Sequence, residues 1–180
     1  MIVVTGATGQ LGRLAIAELL KRVPAAELAA LARDPAKAAD LAALGVAVRK
    51  GDYTDPAALE AAFAGADKLL LISSSEVGRR EAQHRNAIAA AKAAGVGLIA
   101  YTSILHADTT PLGLGAEHRA TEALLRDSGI PHVLLRNGWY TENYLASAPA
   151  AVAHGALLGA AKDGRIRSEE HTSELQSHHD

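Results

Sequence analysis

Three glycines, Gly6, Gly9 and Gly12, recur at every third position directly after the β-branched run Ile2-Val3-Val4-Thr5. An amphipathic segment follows, carrying Leu11, Leu14, Ala15, Leu19 and Leu20. Strand, tight glycine turn and helix, in that order, is what binding a dinucleotide requires. Gly6 allows the turn out of the strand. Gly9 lets backbone approach a pyrophosphate with no Cβ in the way, and Gly12 lets the helix pack close to the sheet. Ala7, Thr8, Gln10 and Leu11 complete the loop, whose free N–H groups and positive helix end then face the phosphates.

Other residues fall where such a ligand would pass. Arg33 and Asp34 close the second strand pattern. An acid there takes the adenosine ribose 2′-hydroxyl, whereas an arginine accommodates a 2′-phosphate and stacks on adenine. Arg33 comes first, so the reading favours NADPH. Asp34 also reads as a helix cap, and its presence keeps NADH open. Asp52 follows the third strand and reads either as a partner for the adenine amine or as a turn acid. Ser73, Ser74 and Ser75 close the fourth strand, at the carboxyl edge where ligands gather in open α/β sheets, and could line the ribose and nicotinamide. They also read as a serine-rich cap for the next helix. Asn137, Gly138, Trp139, Tyr140, Thr141 and Glu142 leave the sixth strand. The only tryptophan and two of the four tyrosines lie in Arg136–Tyr144, in a chain with 3% aromatic residues. Flat amphipathic groups at a strand end suit a nicotinamide and a flat acceptor, or a hydrophobic plug under a loop.

The elements that must position these residues alternate. Strands are expected at Ile2–Thr5, Glu27–Ala32, Ala47–Lys50, Lys68–Ser73, Gly97–Ser103 and His132–Arg136. Helices are expected at Leu11–Arg22, Pro35–Leu44, Pro56–Phe63, Val77–Ala94 and Glu117–Ser128. Asp34-Pro35 and Asp55-Pro56 set a capping acid before a proline at the first helical position. Gly45, Gly65, Gly95 and Gly129 fall just past helical patterns, where a left-handed cap is wanted. Near-continuous apolar strands such as Leu69-Leu70-Leu71-Ile72 imply a buried parallel sheet. Right-handed crossovers then favour a Rossmann-like, doubly wound α/β fold with strand order 3-2-1-4-5-6. No internal repeat beyond the two mononucleotide halves is visible.

Composition bounds the partners. The 180 residues suffice for one α/β domain with a real core. Eighteen basic and 20 acidic side chains give a net charge of −2, which argues against a nucleic-acid footprint. No cysteine is present, so thiolate catalysis and disulfides are excluded, and a cytoplasmic location is expected. No apolar run approaches a membrane span, and Met1 opens into a strand with no basic leader. A homodimer is left open.

From Arg167 the chain changes character. The stretch Arg-Ser-Glu-Glu-His-Thr-Ser-Glu-Leu-Gln-Ser has no apolar period and resembles the in-frame translation of a sequencing-library adapter. Residues 1–166 are therefore expected to be an incomplete dinucleotide-binding domain, and 167–180 a non-native, disordered polar tail without function. A native polar C-terminus is the alternative. No metal site is expected at His178-His179.

The Gly-x-x-Gly-x-x-Gly spacing within Thr-Gly-Ala-Thr-Gly resembles the short-chain dehydrogenases, especially their atypical branch. Together with Leu70–Ser75, Tyr101-Thr102-Ser103 and Leu135–Asn143, it is similar to the bacterial NADPH-dependent quinone oxidoreductases of the NmrA-like group. The resemblance runs from Met1 to about Ile166. It implies that Gly6 through Leu11, Arg33, Ser73–Ser75 and Asn137–Glu142 contact NADPH, and that hydride passes to a quinone. It also implies a C-terminal substrate region that this chain lacks. Short-chain dehydrogenases pair a serine at the position of Ser103 with a later Tyr-x-x-x-Lys, which is absent here. Ser103 and His118 are then the candidate catalytic residues, His118 reading equally as structural. A non-catalytic, redox-sensing NADP(H)-binding regulator is the alternative, and a nucleoside-sugar epimerase a weaker one.

Overall fold

The computed structural model describes residues 1–156 and, beyond them, the backbone of 168–169 and 174–176. Strands and helices alternate through β1 (Ile2–Val4), α1 (Gln10–Leu20), β2 (Leu28–Ala32), α2 (Ala39–Ala43), β3 (Ala47–Lys50), α3 (Pro56–Phe63), β4 (Lys68–Leu71), α4 (Arg80–Ala93), β5 (Leu98–Ile104), α5 (Gly113–Ser128) and β6 (His132–Asn137). All six strands run parallel, in the order β3-β2-β1-β4-β5-β6, which is the doubly wound arrangement expected from the sequence. The chain continues through β7 (Trp139–Tyr140), α6 (Glu142–Leu145) and α7 (Ala148–His154). Two short strands follow: β8 (Ser168–Glu169) pairs with β7, and β9 (Glu174–Gln176) lies antiparallel beside β6. The domain end expected at Ile166 and the side chains of the tail lie outside the described residues.

The sheet is buried on both faces. Neighbouring residues of a strand point to opposite sides, so Val3 joins one core and Val4 the other. On Val3's side, Leu69, Leu71, Ile99 and Tyr101 pack against Leu59 and Phe63 of α3 and Ala87 and Ala91 of α4. On Val4's side, Leu28 and Ala30 pack against Ile16 of α1 and Leu41 of α2.

Local signals hold where short-range chemistry decides. The Asp34 and Asp55 side chains accept from the Ala36 and Ala58 N–H groups, each just before a proline. Gly45, Gly65, Gly95 and Gly129 all have positive φ just past helices. Most other bounds shift by one or two residues, β4 ending at Leu71 and not Ser73, and three helices depart further. The helix expected over Pro35–Leu44 splits into a 3-10 turn, Pro35–Ala38, and the single-turned α2. Gly78, at φ +84°, keeps α4 from starting before Arg80. In contrast, α5 starts at Gly113, earlier than expected, because its first turn contains two low-propensity glycines that hide the helical pattern.

Gly12 shows how tightly α1 sits on the sheet. A Cβ there would lie 2.6 Å from the Ala7 Cα and closer still to the Gly6 carbonyl oxygen. Both are backbone atoms that cannot swing aside. Gly12→Ala is therefore expected to destabilise the fold by about 1–3 kcal/mol, the usual cost of overpacking. A urea-unfolding midpoint unchanged from that of the parent chain would contradict this close seat.

Candidate functional site

An open cleft of about 340 Å³ lies at the carboxyl edge of the sheet where β1 and β4 part. This is the switch point of a doubly wound sheet, where one crossover leaves to each side and a ligand can enter. Gly6, Thr8, Gly9, Gln10, Leu11 and Gly12 form one wall, Arg33 and Asp52 one end, and Ser73, Ser74 and Ser75 the opposite wall. Ala7 is fully buried beneath the turn and supports it from below.

The glycine wall presents donors. Gly6 turns at φ +57°, and the Gly9 N–H closes the turn onto the Gly6 carbonyl at 3.0 Å. No side chain caps α1, and its first turn carries no acid. Its leading N–H groups are thus left for a ligand, and nothing there repels an anion. Thr5 fixes the strand ends beneath. Its Oγ1 accepts from the Ile72 N–H at 2.9 Å and donates to the Leu70 carbonyl at 3.1 Å. The Tyr53 hydroxyl donates to the Ile72 carbonyl at 2.7 Å, and burial pushes its pKa up, so it stays protonated.

The serine wall is held from behind by a buried polar network. Arg80 Nε donates to the Ser74 carbonyl at 2.6 Å, while its Nη1 pairs with Glu117 at 2.8 Å. The Ser74 N–H donates to His84 Nε2 at 2.9 Å, which leaves His84 Nδ1 to donate to Thr121 Oγ1 at 2.9 Å. The Ser73 N–H donates to Thr102 Oγ1. Sequence reasoning missed Thr5, Tyr53, Arg80, His84 and Glu117 as site-building residues. The available signal was on α4, where Arg80, Gln83 and His84 occupy the i, i+3, i+4 stripe that a core-facing helix fills with apolar groups.

The arginine end is electrostatically mixed. Arg33, which is mostly exposed, lies 3.4 Å from Glu76, which also lies 3.3 Å from Arg79. The Asp52 carboxylate is held below its usual range by hydrogen bonds from the Thr54 N–H and hydroxyl, aided by Arg33 and Arg79. Asp34 faces its helix as a cap.

Ser103 and His118 are not among the residues that line the cleft. Ser103 is 5% exposed and donates to Glu122 Oε1 at 2.6 Å. His118 is 4% exposed, with Nδ1 2.7 Å from the Tyr101 hydroxyl. Both side chains are engaged in the interior. The segment after β6 stands on the same sheet edge, beyond the serine wall. Arg136 clamps Glu122 with two nitrogens, at 3.1 and 2.8 Å, and so fixes the exit of β6. Asn137 Nδ2 then donates to the Tyr140 hydroxyl at 2.9 Å, and Trp139 is 49% exposed. Asn137, Trp139, Tyr140, Thr141 and Glu142 do not line the cleft itself, nor does Gly138. Among the described residues, two buried side-chain polar atoms have no partner: Gln83 Oε1, at the cleft, and Thr141 Oγ1, in this segment. The uncapped helix end and the arginine at the rim are donors suited to a dinucleotide's phosphates, whereas the unpaired Gln83 oxygen suits a donor on the ligand. No cluster of potential metal ligands occurs among the described residues.

The buried histidines make stability pH-dependent. Burial, followed by the nearby Arg80 and His118 charges, pushes the His84 pKa down to about 3; burial and Arg80 lower His118 to about 4, against a raising effect from Glu122. The unfolded chain takes up protons near pH 6.5 that the folded chain refuses. Stability is therefore undiminished above that pH and falls as acidity increases toward pH 4. The expected slope approaches about 1.4 kcal/mol per pH unit for each histidine. Urea unfolding between pH 7.5 and 5 measures it, and a flat profile would refute neutral burial of these rings.

A model of the NAD(P)H-binding family matches residues 6–169. Quinone oxidoreductase 2 of Escherichia coli strain K12 is 65% identical over 168 residues, covering 93% of this chain and 59% of that protein. NAD(P)H azoreductase of Xenophilus azovorans is 32% identical over 172 residues, covering 92% of this chain and 57% of that protein. The crystal structure of an NADPH-dependent quinone oxidoreductase from Escherichia coli, complexed with NADPH, superposes with a TM-score of 0.85 at 65% identity, over 89% of this chain and 57% of that one. Triphenylmethane reductase of Citrobacter sp., complexed with NADP(H), gives 0.83 at 43% identity, over 87% and 56%. The chain thus spans less than two thirds of the length of these relatives. The match over 6–169, laid on a doubly wound sheet with a glycine turn at its switch point, shows that the chain belongs to the NAD(P)H-binding family.

Proposed function

We propose that this chain binds NADPH and forms the coenzyme half of an oxidoreductase that passes hydride to quinones. The observation that carries it is the cleft, in which the uncapped N-terminus of α1 faces the serine wall with Arg33 at one end. The 65% identity to a quinone oxidoreductase, and to one crystallised with NADPH, supports the same reading.

When bound, the coenzyme supplies the hydride. The chain's own contribution is placement. The turn from Gly6 to Gly12 holds the diphosphate, and Arg33 takes the 2′-phosphate. Ser73, Ser74 and Ser75 line the path toward the segment Asn137–Glu142, where Trp139 and Tyr140 offer flat surfaces to a flat acceptor. Quinones are strong acceptors, so juxtaposing two rings does most of the work, and solvent can protonate the reduced oxygens. In this reading Ser103 and His118 keep structural posts. Their hydrogen bonds to Glu122 and Tyr101 position strand ends instead of delivering protons.

Arg33→Ala is expected to weaken NADPH roughly ten- to hundredfold, from losing a charge-assisted hydrogen bond to phosphate, and to leave NADH nearly unchanged. Calorimetric titration of both coenzymes measures this. Equal loss for both would remove Arg33 as the phosphate reader. Activity is measured as quinone-dependent NADPH oxidation by this chain extended to its relatives' length. The expected result is turnover with a small benzoquinone.

A second reading, a redox-sensing regulator that binds NADP(H) without consuming it, is favoured by the engaged state of Ser103 and His118 and by the lack of Tyr-x-x-x-Lys. NADPH binding with no turnover on any quinone tried would select it.

A further inference from the structure

Gln83 is anomalous. Its residue is 4% exposed, it lines the cleft, and its side-chain Oε1 is buried without a hydrogen-bond partner. Native proteins seldom leave such an atom unmatched, since an unpaired buried acceptor keeps the full cost of leaving water. A glutamine whose role was only to pack would be better replaced by leucine or methionine.

Its place in the fold says what it awaits. Gln83 lies in the first turns of α4, preceded by Arg79, which meets Glu76 at the Arg33 end of the cleft. Three residues on, and so on a neighbouring part of the same helix face, Asn86 donates its Nδ2 to the Tyr53 carbonyl at 2.9 Å. The adjacent His84 ring meets the Tyr53 ring edge-on, with centroids 5.9 Å apart. This face of α4 therefore abuts the loop Asp52-Tyr53, at the adenosine end of the cleft and away from Trp139 and Tyr140. Arg33 marks where a 2′-phosphate would sit, so the base attached to that ribose falls between Asp52 and Gln83.

We propose that Gln83 is a specificity-determining residue for the coenzyme's base, its carboxamide oxygen accepting a hydrogen bond from the exocyclic amine of adenine. This rests on the NADPH reading above and deepens it. Asp52 turns its Oδ1 to Thr54, at 2.8 Å from the N–H and 2.7 Å from the hydroxyl, whereas Gln83 Oε1 is the buried cleft acceptor without a partner among the described residues.

The test titrates the parent chain and Gln83→Leu with NADPH, adenosine 2′,5′-bisphosphate, the same bisphosphate of purine riboside (which lacks the amine), and nicotinamide mononucleotide. The parent should prefer the adenine over the purine probe by roughly three- to tenfold, the worth of one neutral hydrogen bond. Gln83→Leu should erase that preference, weaken NADPH by the same factor and leave nicotinamide mononucleotide unchanged. The melting temperature of the ligand-free variant should hold or rise, because leucine removes an unpaired polar atom at nearly constant volume. A glutamine with a merely structural task would lower it. A retained adenine preference in the variant, or a loss confined to the nicotinamide probe, overturns the proposal while the NADPH reading stands. Failure of the parent chain to bind NADPH overturns both.

Discussion

The contact between α1 and the exit of β1 is the constraint on which the cleft depends. The helix backbone at Gly12 rests directly on Ala7 and the Gly6 carbonyl, at a separation no side chain would allow. That seat points the first turn of α1 across the gap between β1 and β4. Thr5 holds the gap at a fixed width by bridging Ile72 and Leu70. Were the helix farther out, its leading N–H groups would face solvent. Were Thr5 apolar, the Ile72 N–H would lose its partner just where the strands diverge. One missing Cβ and one hydroxyl therefore set the uncapped end of α1 against the cleft.

The opposite wall obeys different physics. Ser73 and Ser74 leave the sheet, so their backbone groups have no ladder to join and must find partners elsewhere. Thr102, His84 and Arg80 supply them from β5 and α4. Burying Arg80 would be costly alone, but Glu117 neutralises it, and Glu122 does the same for Arg136 behind β6. Replacing such a network by apolar groups can be neutral in stability. It would nonetheless leave the serine loop free to choose among conformations. The network's product is a single position for that loop.

Much of this was legible in the residues, because the signals were local. Pro56–Phe63 and Ala47–Lys50 occur with the bounds expected from their caps and patterns. The apolar run Leu69-Leu70-Leu71-Ile72 announces a buried parallel sheet, and the strand order follows from crossover handedness. Less legible were features set by long-range pairing. His84 and His118 look alike as isolated letters; only the fold shows that one supports Ser74 and the other Tyr101. Ser103 matched the position of a catalytic serine, yet Glu122, nineteen residues on, claims its hydroxyl. Gly113 and Gly115 hid the start of α5, since propensity alone cannot foresee a turn stabilised by the Arg119 bond to the Ala107 carbonyl.

The rim shows how a loosely held charge can serve binding. Arg33 and Glu76 pair at 3.4 Å with Arg33 largely in solvent, an arrangement worth at most about 1 kcal/mol. A phosphate meets the same guanidinium with two parallel, charge-assisted bonds and exceeds the carboxylate in strength. Glu76 need not be stranded when displaced, because Arg79 already lies 3.3 Å from it. The pair thus keeps Arg33 extended over the cleft before a ligand arrives, which reduces the ordering cost at binding. It also yields to a phosphate at small expense. On the proposed reading, a buried, bidentate Arg33 would hold a coenzyme more firmly and release it less readily.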